Sequence, residues 1–124
     1  MTAVGLLLVA AGGGVGAALR FVLDGLVKAR VRRFPLGTMV VNVTGSFVLG
    51  LVTGLGGAGT IAVPMVAVLG TGMMGGYTTF STASVETVQL LRSGKTRLAV
   101  LNGLGMLVVS VGAAALGLWL GRNS

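Results

Sequence analysis

The chain has 124 residues, of which 54% are hydrophobic and 9% charged, and its mean hydropathy is +1.01; soluble domains carry about 25% charged residues, so most of this surface is suited to lipid. There is no cysteine and no histidine, which excludes disulfides, thiolate metal sites, cysteine nucleophiles and histidine acid–base chemistry, so no enzyme activity is expected. The net charge of +7 sits in two short clusters flanking hydrophobic runs, a pattern of membrane topology rather than of nucleic-acid binding.

In chain order, the first predicted element is a span over about residues 2–23. It lacks the positive leading segment of a secretory signal, so it is read as a true crossing. A basic connector with Lys28, Arg30, Arg32 and Arg33 follows, closed by Phe34 and Pro35; Pro35 suits the first turn of the next helix. The second span covers about 36–53 and ends in a glycine-rich, uncharged turn over 54–59, because so many glycines disfavour helix. From Phe34 to Val85 there is no Asp, Glu, Lys or Arg, enough length for two crossings of about 20 residues each.

The third region, about 61–91, is longer than one crossing and is interrupted at Gly75-Gly76-Tyr77-Thr78-Thr79, which predicts a broken helix. A basic turn with Arg92, Lys95 and Arg97 leads into a last span over about 98–120, with Trp119 at interfacial depth. The expected fold is therefore an all-α integral membrane protein, with one domain of four transmembrane helices over 1–124. Seven Lys/Arg lie in the two connectors on one side, against Arg122 on the other. The positive-inside rule then places the connectors in the cytoplasm and both termini outside a cell membrane.

Glycines recur four apart at Gly12/Gly16, Gly50/Gly54, Gly72/Gly76 and Gly117/Gly121. This spacing lets helix backbones approach closely where lipid supplies no hydrophobic drive. Thr38, Asn42 and Ser46 stand at i, i+4 and i+8 on the second helix, forming a polar stripe. For Thr38 and Ser46, interhelical hydrogen bonding is an equally good reading, whereas Asn42 carries an amide that is costly to bury without partners. Gly75 to Ser84 crowds hydroxyls beside one phenylalanine. Unwound backbone there must line a cavity or be buried in protein, and its carbonyls could hold a small cation. A kinked helix patched by Ser and Thr hydroxyls is the alternative. Asp24, Glu86 and Arg20 lie away from mid-span and read as anchors or vestibule charges.

Three segments together resemble the Fluc (CrcB) fluoride channel family: Gly13-Gly14-Val15-Gly16-Ala17-Ala18-Leu19-Arg20, the second-helix run from Pro35 to Ser46, and Gly75-Gly76-Tyr77-Thr78-Thr79-Phe80-Ser81-Thr82. The resemblance implies an antiparallel, dual-topology dimer with two pores and a structural sodium ion at its centre. It implies that Gly75 and Thr78 give sodium-coordinating carbonyls, that Asn42, Phe80, Ser81, Thr82 and Ser110 line the fluoride pore, and that Arg20 lies at an aqueous vestibule. Amide and hydroxyl donors suit a small, tightly hydrated anion that must be desolvated without being trapped.

Two positions depart from the family pattern. Ala83 stands where a second aromatic residue is usual, and Met106 stands one turn before Ser110 where tyrosine is frequent. The charge bias fixes one orientation, so a heterodimer with an oppositely oriented paralogue is expected ahead of a homodimer. A small multidrug transporter of similar length would need a membrane-embedded glutamate in the first helix, which is absent. A non-conducting assembly subunit would need only the glycine packing.

Overall fold

Thr2 opens the first helix as its N-cap, accepting the Gly5 amide hydrogen on Oγ1 at 3.0 Å, and α1 then runs Ala3–Lys28. The fold is that of a computed structural model, which describes residues 2–30 and 36–124, the Ser81 side chain excepted. Arg32, Arg33, Phe34 and Pro35, with the expected proline start of the second helix, lie outside the described residues, and so does the expected pore-facing side chain of Ser81.

Helix α2 is Leu36–Gly57. Helix α3, residues 63–77, starts at Val63–Val66 with a proline in its first turn, widens to a π-helix over Ala67–Met74, and closes with Gly75–Tyr77. Helix α4 is Phe80–Arg92, and α5 is Thr96–Arg122 with a π-helical stretch at Leu101–Gly105. Among the described residues the secondary structure is entirely helical. Helices α1, α2 and α5 are each long and apolar enough to cross a membrane. The third hydrophobic region is shared between α3 and α4, with Thr78 (φ −81°, ψ 156°) and Thr79 (φ −147°, ψ 117°) extended between them.

Two boundaries differ from those expected. Helix α2 continues through Gly54 to Gly57, and the chain turns only at Gly59, whose φ of +78° favours glycine. Helix α3 likewise carries on through Gly75 and Gly76 and stops at Tyr77. One glycine in each stretch, Gly54 and Gly76, closes on the backbone of a neighbouring helix, so the glycine there serves packing and the helix runs on.

A Cβ on Gly16 would collide with the Met73 carbonyl, and one on Gly12 would lie 2.9 Å from the Val68 oxygen. Reciprocally, a Cβ on Gly76 would strike the Gly13 carbonyl, and one on Gly72 would come to 2.7 Å from the Val9 oxygen. Helices α1 and α3 therefore interlock glycine to backbone in both directions. The same reciprocity joins α2 to α5, where Gly50 and Gly54 meet Ala114 and Leu118, and Gly117 and Gly121 meet Phe47 and Leu51. All four glycine pairs are thus used for close approach, which replaces the missing hydrophobic drive by dispersion contact.

Candidate functional site

The break between α3 and α4 rests on one face of α2, and three residues of the Asn42-Val43-Thr44-Gly45 run build that face. Gly45 makes room: a Cβ there would collide with the Thr78 methyl and come to 2.9 Å from the Tyr77 ring. Thr44 gives its hydroxyl proton to the Val40 carbonyl at 2.6 Å, so the Tyr77 hydroxyl, 2.9 Å away, donates to Thr44 Oγ1. Asn42 holds the extended backbone itself. Its Nδ2 donates to the Thr79 carbonyl at 2.9 Å, and its Oδ1 accepts the Thr79 amide hydrogen at 2.8 Å. The second Nδ2 hydrogen goes to the Met106 sulfur at 3.1 Å.

Unwinding two residues inside an apolar protein releases main-chain groups that must be satisfied. The Thr79 amide turns to Asn42 rather than along the helix to Gly75. The Thr82 amide turns to Thr79 Oγ1 at 3.3 Å, which caps α4, rather than to Thr78. Each of these turns leaves one carbonyl near the break, that of Gly75 and that of Thr78, without the helical amide it would otherwise meet. They are hard, neutral oxygens, a donor type suited to an alkali cation and not to a transition metal. No cluster of three or more His, Cys, Asp or Glu occurs among the described residues.

Two cavities meet at Thr79. The larger is an open groove of about 520 Å³ bounded by α2, α4 and α5; Asn42, Ser46, Phe80, Asn102 and Ser110 are on its walls, and no charged side chain is. Phe80 is 87% exposed. Ser110 Oγ is buried without a hydrogen-bond partner among the described residues. The smaller cavity, about 160 Å³, lies between α1, α2 and α4 and is lined by Arg20, Asp24, Thr38 and Thr82 among others. Arg20 Nε and Asp24 Oδ1 are buried there without hydrogen-bond partners among the described residues, although Asp24 Oδ2 pairs with Lys28 at 3.1 Å. Asp24 Oδ1 also sits against Gly37, where any Cβ would displace it.

Of the residues singled out from the sequence, Asn42, Phe80 and Ser110 come together on the groove, while Thr82 and Arg20 share the smaller cavity. Thr78 is the first extended residue of the break, and Gly75 lies in the last turn of α3 before it. The polar stripe on α2 divides, with Thr38 on the small cavity and Asn42 and Ser46 on the groove. Sequence reasoning missed Asn102 and Thr87. Asn102 is fully buried, donates to Thr87 Oγ1 at 2.8 Å and faces the groove opposite Ala83. The signal was present, because Asn102, Met106 and Ser110 repeat on α5 the i, i+4, i+8 spacing of Thr38, Asn42 and Ser46.

A glycine-zipped helical protein with three helices long and apolar enough to cross a membrane, which gathers its amides and hydroxyls around an unwound segment, has the make-up of a membrane protein. The chain belongs to the CrcB/Fluc family: residues 7–118 match the family described as CrcB-like protein, Camphor Resistance (CrcB). It is 54% identical to the protein named fluoride-specific ion channel FluC 1 of Leifsonia xyli subsp. xyli over 122 residues, 98% of this chain and 89% of that one. It is 45% identical to FluC 1 of Streptomyces avermitilis, over 91% of this chain and 92% of that protein. It is also 45% identical to FluC 2 of Cutibacterium acnes, over 90% and 92% of the two chains. These relatives are named as channels, not as enzymes.

Proposed function

We propose that this chain is a subunit of a fluoride channel that lets cytoplasmic fluoride leave the cell down its electrochemical gradient. The observation that carries the reading is the uncharged groove at the Asn42-clamped break, where amides, hydroxyls and the Phe80 ring converge. Donors of that kind replace the water of a small anion without the deep well a buried cation would make. The positive edge of the Phe80 ring adds a further weak partner for an anion. The family relatives named fluoride-specific channels support the choice of ion.

In this reading α3 and α4 together make the fourth crossing, in two pieces, and both termini face outward across the plasma membrane. Arg20 draws the anion into the smaller cavity, and Thr82 stands between that cavity and the break. A groove facing lipid would be costly, since Ser110 Oγ and Asn102 Oδ1 are buried without partners among the described residues. A second, oppositely oriented subunit closes it. Where two such subunits meet, the freed carbonyls of Gly75 and Thr78 from each would hold a sodium ion, which makes the local potential less hostile to an anion.

The partner is a paralogue in this reading, because seven Lys/Arg on one face fix a single orientation and relatives carry the numbers 1 and 2. Ala83 in place of a second ring favours unequal pores. Fluoride-electrode recording of efflux from proteoliposomes tests the whole reading, with the chain alone and with its paralogue. Fast fluoride release without chloride release, reduced when sodium is omitted from all buffers, is expected. Silence from folded protein in every combination would leave a non-conducting assembly subunit.

A further inference from the structure

Asn42 has two amide hydrogens, and the chain disposes of them unequally. One goes to the Thr79 carbonyl at 2.9 Å, within a two-way pairing in which the Thr79 amide also binds Oδ1. The other goes to a thioether, Met106 Sδ, at 3.1 Å. A carbonyl is a strong acceptor and a thioether a weak one. The first bond anchors Asn42, and the second only keeps its remaining donor from being left bare, which would itself be costly. Both Asn42 and Met106 line the groove, so this weaker bond lies at the solute path.

We infer that Met106 is a specificity-determining residue acting as a placeholder: its sulfur occupies the outward Asn42 donor and yields it to passing fluoride. The proposal rests on the channel reading above. Fluoride is a far stronger acceptor than a thioether, and an ionised acceptor strengthens the hydrogen bond it receives. Three rotatable side-chain bonds let the methionine swing aside and return without moving α5. The exchange costs little in either direction, as conduction requires: binding firm enough to admit the ion and weak enough to release it. Chloride, larger and a poorer acceptor, gains less from the same exchange. Met106 thus has a use where the family pattern would place a polar side chain.

The test uses the full chain in the pairing that conducts, with two variants at Met106. Met106→Gln places an amide oxygen beside the Asn42 donor, and efflux is expected to slow by about tenfold or more. Met106→Leu leaves the donor unpaired, and the half-saturating fluoride concentration is expected to fall about threefold or more as the ion binds more tightly. As a measure independent of how well the variants assemble, the side-chain amide resonance of Asn42, one of three asparagines, is followed in nitrogen-15-labelled wild-type protein in lipid nanodiscs. Sodium fluoride is expected to move it and sodium chloride to leave it in place. An unmoved resonance, or wild-type efflux and half-saturation in both variants, overturns the placeholder role and leaves the channel reading intact. No fluoride efflux from the wild-type protein defeats the channel reading and this proposal with it.

Discussion

Asn102 donates its side-chain amide to Thr87 Oγ1 at 2.8 Å, while its own Oδ1 is buried with no partner among the described residues. Thr87 passes its proton on to the Ala83 carbonyl at 2.8 Å, so a short polar relay crosses the groove wall where an aromatic ring is absent. Water or a second subunit is the natural donor to the orphan oxygen. Asn102→Asp puts a negative charge into this uncharged wall. We expect it to reduce fluoride efflux by about a hundredfold, on the order of 2–3 kcal/mol of added barrier, with assembly retained by size-exclusion chromatography. Wild-type efflux in that variant would remove Asn102 from the ion path.

Asn42→Ala removes the two hydrogen bonds that the Asn42 side chain makes to the Thr79 peptide. Such bonds contribute about 0.5–1.5 kcal/mol each. The variant should melt at clearly lower temperature in detergent, and the comparison with Ser46→Ala, on the same groove wall, separates the clamp from groove polarity in general. Equal melting of Asn42→Ala and wild type would mean that the break supports itself.

The glycine contacts predict opposite outcomes for neighbours on α1. Gly16→Ala drives a methyl into the Met73 carbonyl, and backbone cannot step aside, whereas Gly14 has nothing within 4 Å. Gly16→Ala is expected to abolish a stable fold; Gly14→Ala is expected to be neutral or to stabilise by about 0.5–1 kcal/mol through helix propensity. Thermal unfolding of the pair decides it, and equal behaviour would refute the α1–α3 interlock.

The positive-inside rule makes orientation testable through the connectors. A reporter fused after Ser124 is expected to read outside the cytoplasm in nearly all molecules. Changing Arg30, Arg92, Lys95 and Arg97 together to Gln removes most of the bias and should give both orientations. A cytoplasmic C-terminus in the unaltered chain would reverse the topology and the argument for an oppositely oriented paralogue.

The helices were legible because the hydrophobic runs are long and the charges that end them are few. The four glycine pairs were legible as packing motifs, but their partners were not. Spacing says that Gly12 and Gly16 want a close neighbour, and only the fold shows that the neighbour is α3. Glycine also misled at 54–57 and 75–76, where the packed helix runs on through residues that weaken an isolated one, with Gly54 and Gly76 closing on a neighbouring backbone. In the site, Asn42 was legible because an amide in an apolar run is conspicuous. Its engagement with Thr79, 37 positions away, is a tertiary fact with no local trace. Asn102 went unread because its stripe is interrupted by Met106, a residue that looks like lipid-facing filler until its sulfur is found accepting a hydrogen bond.

The helix pairings skip along the chain, α1 with α3 and α2 with α5, and this sets an order of assembly at the ribosome. The α1–α3 seam cannot close until residue 77 has emerged, and the α2–α5 seam waits for the last residues of the chain. Until Thr79 has been made Asn42 has neither of its partners, and from then until Met106 is added it has the Thr79 peptide alone. A chain that ends before Met106 therefore keeps the clamp on the break but loses the acceptor of the second Asn42 amide hydrogen.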